Sequence, residues 1–427
     1  MSESISLYRK FTGTAVVMII NRALIIILGI IYARYLGPEE FGLYSFVLSI
    51  IALLAIPVSA GIPNLLIREI ANFNLEKKWS YLKGIINWSC LYVLVISLIV
   101  LIIIAIALYM DVFEAPTTYI LGVAIFLIPF KGLLVQQAAV LSGFRKPVLA
   151  QFPTDILLPL ITLFFVFLYF YLDGIFSAYH LVSLSIVAII CTYFVSTMLL
   201  KNNIKSQLKG VIAEYSTKAW KNSLLPFACI AFVSTLNTEL ASVFIGWMVS
   251  TESVAYFKVG MQAVGLISLG LSAINAVIMP NVARLYKRGN LNETQALLTK
   301  SVRLSSLVSF PIILLLIIFG KFLITLLFGE AYLEAYPILI ILCIGKTFDV
   351  MMGSVGVALN MTGNEQNVLK CIIMTLIINF ILLTILIPIY GHIGAAIAVS
   401  LSLITWNVFM VLEVYKQVNL KTWLTFK

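Results

Sequence analysis

The stretch VVMIINRALIIILGIIYARYLG, residues 16–37, decides the class of fold. It is almost unbroken apolar sequence, and about 20 such residues cross the hydrocarbon of a bilayer. Arg22 interrupts it near its middle. A charge at that depth costs about 2.5–3.5 kcal/mol on insertion scales, so such residues face a protein interior or a wet cavity. The rest of the chain has the same character. Hydrophobic residues make up 62% and charged residues 11%, with a mean hydropathy of +1.08, whereas soluble domains carry about 25% charged residues. This is the sequence of an integral membrane protein. No small-x-small cleavage site follows the first run, which reads as a retained helix rather than a signal peptide. The cysteines, at 90, 191, 229, 343 and 371, all lie in apolar runs and imply no disulfide framework.

Twelve runs are long and apolar enough to span: 11–35, 42–62, 84–109, 118–142, 155–172, 178–200, 223–249, 254–279, 303–319, 335–361, 367–388 and 393–414. The ninth continues past Gly320 and Lys321 to Phe328, either as one long helix or as a helix with an interfacial turn. Strand signals are absent, which predicts an all-α fold. Basic residues are retained on the cytoplasmic side. With both termini placed there, the cytoplasmic segments hold 22 of the 28 lysines and arginines, and the opposite side has only Arg34 and Lys321. Arg22, Lys131, Lys258 and Lys346 fall within spans. Adding or removing one span would scramble this asymmetry. The formal charge of +10 is thus a topology signal and gives no reason to invoke a nucleic-acid partner.

The chain also resembles itself. LSGFRKPVLAQ from Leu141 and NMTGNEQNVLKC from Asn360 match at an offset of 220, and GIPNLL from Gly61 matches IMPNVA from Ile278 at 217. The near-equal offsets predict a six-plus-six duplication: an N-terminal six-helix bundle over 1–200, a basic cytoplasmic linker over 201–222, and a C-terminal six-helix bundle over 223–427. Because six is even, the halves share an orientation. They would be related by a pseudo-two-fold along the membrane normal, as in transporters with a site between halves. The linker reads equally as a solvated connection or as a membrane-lying helix.

Several stretches resemble a known family. ARYLGPEEFGLYSFVLS (33–49) with IREIA (67–71) resembles the start of Wzx-type polysaccharide flippases, members of the multidrug/oligosaccharidyl-lipid/polysaccharide exporter superfamily. The likeness continues in order through ESVAYFKVG (252–260), MPNVARLYKRG (279–289), LLFGEAYLEAYPILIIL (326–342), LNMTGNE (359–365) and GHIGAAIAVSLS (391–402). It implies a fold of twelve to fourteen helices, two bundles arranged in a V, and alternating access. The implied activity moves a polyprenyl-diphosphate-linked oligosaccharide from the cytoplasmic to the outer leaflet of the cell (inner) membrane, for surface polysaccharide such as O-antigen. A polysaccharide polymerase and glycosyltransferases of the same pathway are the implied partners. By the same resemblance, helices one, two, seven and eight line the cavity.

Arg22 then lies on a lining helix, about 15 Å from either end of its span. Two readings stand. It pairs with Glu239 or with backbone carbonyls, or its planar fork grips the diphosphate of the substrate. Lys258 is a candidate contact to diphosphate or sugar. Thr235, Glu239, Ser242 and Gly246 share one helical stripe, and a polar stripe within a span suggests a wet wall. Glu239 would contact sugar hydroxyls, pair with Arg22, or carry a coupling proton or Na⁺. Lys131 reads as a structural cation beside Asp155 or Asp349, and Lys346 and Asp349, spaced i, i+3, can pair on one face. Prolines 57, 129, 159, 226 and 311 lie inside spans and can bend helices. No P-loop, GxSxG or Cys/His metal spacing appears, and His180 and His392 sit near span ends. No catalytic residue, metal or bound cofactor is expected. The competing readings are a cation-coupled small-molecule exporter of the same superfamily and, from a different class, a membrane polysaccharide polymerase or ligase. The buried charges are mostly cations, which favours an anionic substrate. The short external loops disfavour an enzyme.

Overall fold

The computed structural model describes residues 2–172, 176–208 and 210–424. Of the charges used for topology, Asp173, Lys209 and Lys427 lie outside the described residues, as do the side chains of Arg9, Lys10 and Lys205. The elements are α1 (Ser2–Leu54), α2 (Ile56–Ser59), α3 (Ile62–Leu75), α4 (Trp79–Tyr109), α5 (Ala115–Ala124), α6 (Leu127–Gly143), α7 (Pro147–Gln151), a π-helix (Phe152–Leu157) and α8 (Leu158–Tyr171). They continue as α9 (Ala178–Leu208), α10 (Thr217–Met248), α11 (Thr251–Lys287), α12 (Leu291–Leu327), a 3₁₀ turn (Glu330–Tyr332), α13 (Ala335–Met352), α14 (Val355–Met361) and α15 (Glu365–Val418). The fold is all-helical over the described residues.

Ten helices among the described residues are long and apolar enough to cross a membrane. Two of them contain a break. In α1 Gly37 has φ 72° and ψ 174°, and in α15 Gly391 has φ 56° and ψ −137°. A side chain at positive φ is strained, so glycine supplies the turn. Unbroken, the 54 residues of α15 would extend about 80 Å, against a hydrocarbon core of about 30 Å. Each broken helix therefore supplies two crossings, and the twelve expected spans are accommodated. Two runs differ in detail. The ninth is one continuous helix through Gly320 and Lys321 to Leu327. The tenth is not a single helix: α13 stops at Gly353, with φ 72°, and α14 resumes at Val355.

Packing follows the logic of a chain without water around it. On α4 the buried face carries Ser89, Val93, Ser97, Val100 and Ile104, while Leu91, Leu98, Ile102 and Ile103 are more than half exposed. Helix α12 buries Ser301, Ser305, Ser306 and Ser309 and exposes Leu307, Leu314 and Ile318. Small and polar residues let helices approach in lipid, and large apolar ones gain nothing by being inside. Ser301 and Ser305 donate to backbone carbonyls of their own helix, and Ser309 donates to Ile267 O of α11 at 3.4 Å.

The chain forms two compact units. The first is Met1–Leu36 with Val47–Thr235, and the second is Gly37–Phe46 with Leu236–Lys427. This partition departs from the 1–200, 201–222 and 223–427 division read from the sequence. It falls within α10, and it assigns 37–46 to the second unit. The core of the first unit gathers Ile62, Leu66, Leu82, Ile85, Trp88 and Trp220, with Ile204 of α9. That of the second gathers Ile278, Leu298, Ala358, Cys371, Met410 and Val414. The expected linker, 201–222, is part helix and part irregular chain over its described residues. Helix α9 runs to Leu208, and residues 211–216 form an irregular strap over the start of α4. Glu214 N donates to Ser80 O at 3.1 Å, and Lys83 Nζ donates to Val211 O at 2.8 Å. A Cβ on Gly84 would collide with the Glu214 carbonyl oxygen, so only glycine allows the strap this close.

Candidate functional site: charges held within the spans

In the first unit Arg22 lies on α1, half-buried. Its Nε is buried and hydrogen-bonds to nothing among the described residues. The preceding residue anchors the helix: Asn21 Nδ2 donates to the backbone carbonyl of Asp155 at 2.8 Å. That carbonyl lies in the π-helix, where wider i→i+5 bonding disturbs the regular ladder of backbone bonds. Sequence reasoning missed Asn21; its adjacency to Arg22 in an apolar run was the available signal. Thr154 donates to Asp155 Oδ1 at 3.0 Å.

The second unit holds Glu239 and Lys258 against each other. Lys258 Nζ of α11 lies 3.0 Å from Glu239 Oε2 of α10, with the two side chains 27% and 19% exposed. Helices α10 and α11 are joined by the short turn at Val249–Ser250, where Ser250 Oγ caps α11 by accepting from Ser253 N at 3.1 Å. The two charges stand almost equally far from that turn, so an antiparallel hairpin brings them level.

The stripe on α10 divides along its length. Thr235, which falls in the first unit, is half-buried and donates to Ala231 O at 2.9 Å. Ser242 is fully buried, and its Oγ has no hydrogen-bond partner. Gly246 packs on the ring of Phe46, which a Cβ would strike. Thr235, Glu239 and Gly246 keep partial exposure, and Ser242 is the buried member of the stripe. The expected i, i+3 pair is formed, with Lys346 Nζ 2.9 Å from Asp349 Oδ2. Asn407 Nδ2 donates to Asp349 Oδ1 at 3.0 Å, a contact from α15 that spacing did not reveal. Lys131 is half-buried on α6. A buried polar step on α15 also escaped the sequence reading: Ser402 donates to Asn379 Oδ1 at 3.2 Å, one helical turn beyond Thr375. The i, i+4 spacing of Thr375 and Asn379 in an apolar run was its signal.

The profile of the polysaccharide biosynthesis protein family matches residues 31–337. The chain belongs to that family. The Staphylococcus aureus capsular polysaccharide biosynthesis protein CapF is 26% identical over 178 residues, covering 42% of this chain and 45% of that protein. The probable low-salt glycan biosynthesis flippase Agl15 of Haloferax volcanii is 22% identical over 201 residues, covering 46% and 43%. The chain thus spans less than half the length of either relative. Two solved structures share the fold along nearly the whole chain. One is the lipid II flippase MurJ in an inward closed conformation, with a TM-score of 0.73 and 16% identity over 94% of this chain and 87% of that one. The other is an inward-facing multidrug resistance MATE transporter of the MOP superfamily, with a TM-score of 0.74 and 13% identity over 95% and 98%. The sequence resemblance to polysaccharide flippases agrees with this family, and the fold is that of membrane transporters.

Among the described residues, no group of three or more His, Cys, Asp or Glu side chains is placed to hold a metal ion. What the polysaccharide biosynthesis chain does offer inside its spans is charge. The Glu239–Lys258 pair is neutral overall, whereas Arg22 presents a guanidinium whose Nε has no protein acceptor.

Proposed function

We propose that the chain is a flippase for a polyprenyl-diphosphate-linked oligosaccharide, carrying it from the cytoplasmic to the outer leaflet of the cell membrane by alternating access, with both termini cytoplasmic. Arg22 carries this reading. A permanent cation in the apolar middle of α1, with a buried Nε that no protein acceptor satisfies, is costly to the protein and suited to an anion that visits. A diphosphate is the strong charge on a lipid-linked glycan, and a planar guanidinium meets phosphate oxygens two at a time. Lys258 and Thr235 would meet the headgroup or its sugars as the site changes shape. Ser242 would do so only where its burial is relieved. The Glu239–Lys258 pair would carry the coupling: a proton or Na⁺ arriving at Glu239 would weaken its hold on Lys258. A polymerase and glycosyltransferases would act on either side of the translocation step.

The test is the pair Arg22→Ala and Arg22→Lys in cells that depend on this chain for surface glycan. The alanine variant should reach wild-type levels in the membrane, lose surface glycan and leave lipid-linked precursor in the inner leaflet. Lysine keeps the charge without the fork, so it should retain part of the export. Full export by Arg22→Ala would overturn the reading. Resistance to small cationic drugs that persists in that variant would favour a small-molecule exporter of the same fold.

A further inference from the structure

We propose that the strap between α9 and α10 is a docking surface for the headgroups of anionic phospholipids. The strap has no regular secondary structure, yet its backbone is fixed at Val211 and Glu214 by bonds to Lys83 and Ser80. It therefore holds its side chains in defined places without a helix. Two of those side chains are large and project outward: Ile212 is 84% exposed and Tyr215 is 55% exposed. The position explains what would otherwise be a cost. The strap links α9 to α10 and lies on the first turns of α4, so it sits where three apolar helices end, the level at which hydrocarbon gives way to headgroups. Tyr and apolar side chains are at home at that level.

The charge around it is complementary to an acidic lipid surface. Lys218 and Lys221, on the first turns of α10, are exposed, as is Lys77 just before α4. Lys78 is also exposed but is paired with Glu76 at 2.7 Å. Glu214 is the one acid on the strap itself. A cluster of lysines beside outward apolar side chains fits a phosphodiester with acyl chains beneath it better than it fits a free anion, which has no use for Ile212. The second unit repeats the device. After α15 the chain turns back, Lys421 N donates to Gln295 Oε1 and Gln295 Nε2 to Lys421 O, both at 2.7 Å, and Leu424 N donates to Met351 O at 2.8 Å. There too a lysine and an aromatic stand together, with Lys421 Nζ 6.0 Å from the centre of the Trp423 ring. A strap with an aromatic side chain and lysines beside it thus follows α9 in the first unit and α15 in the second.

The proposal is tested on the purified full chain with dioleoylphosphatidylglycerol and dioleoylphosphatidylcholine as probes. Native mass spectrometry should show phosphatidylglycerol retained in preference to phosphatidylcholine. Lys218→Gln with Lys221→Gln should weaken phosphatidylglycerol retention by about fivefold per lysine, with phosphatidylcholine unchanged and inorganic phosphate failing to compete. Equal retention by the double variant would overturn the proposal. A second measurement places an environment-sensitive fluorophore on a cysteine at Ile212 in a chain without its native cysteines. Its emission should shift to the blue in vesicles containing phosphatidylglycerol relative to phosphatidylcholine alone. An unchanged, water-like emission in both would also overturn it, as would a blue shift produced only by a soluble protein partner.

Discussion

Glu239 and Lys258 illustrate what a single contact decides. Each alone would be a charge in a span, and together they are a neutral pair at 3.0 Å with both side chains largely buried. Removing one partner strands the other, which is where most of the cost of breaking such a pair arises. Lys258→Met should therefore lower stability by about 1–3 kcal/mol, read as a lower unfolding midpoint in detergent. The double variant Lys258→Met with Glu239→Gln should recover most of that loss, because no uncompensated charge remains. An additive double variant would show that the two side chains do not depend on one another. The sequence exposed both residues as candidates but left the partner of Glu239 open. Their levelling across a hairpin was available from the position of the Val249–Ser250 turn, whereas Arg22 competed for the same acid on composition alone.

At the scale of elements, the strap over α4 makes the sharpest demand on sequence. Gly84→Val would drive a side chain into the Glu214 carbonyl and should destabilise the chain by about 1–3 kcal/mol, as overpacking does. Trypsin should then cut at Lys218 or Lys221 sooner. Gly122→Ala is the control, since a Cβ there meets only Leu108 at an ordinary 3.8 Å; neither midpoint nor digestion should worsen. These elements divide cleanly by how visible they were beforehand. Spans were legible because twenty apolar residues have no other use, and their count survived even where two crossings meet at a single glycine, at Gly37 and Gly391, with no polar loop between them. The strap was not legible. Its residues are ordinary loop residues, and what fixes them is the absence of a side chain at Gly84, more than a hundred residues away. The internal repeat is similarly partial: Gly61 breaks the chain before Pro63, but the matching Pro280 lies within the continuous α11.

For the whole molecule, the asymmetry of basic residues predicts an orientation that labelling can check. In a chain without native cysteines, a cysteine at Asn290 should be protected from an impermeant thiol reagent in intact cells, and one at Glu330 should react; both positions are exposed. Reaction at Asn290 from outside would reverse the topology. The division into units was the least legible property, because the segment Gly37–Phe46 packs with residues far along the chain. Phe41 stands edge-on to Tyr332 at 6.3 Å, and a Cβ on Gly42 would strike the Thr251 carbonyl. That arrangement has a consequence in time. A ribosome adds about 5–20 residues per second, so Tyr332 emerges about 15–60 s after Phe41. Throughout that interval the bend at Gly37, between the first two crossings, is already made without the surface it is shaped to meet. The opening tenth of the protein is thus among the last parts to be finished, and the newborn chain depends on whatever shelters that bend while it waits.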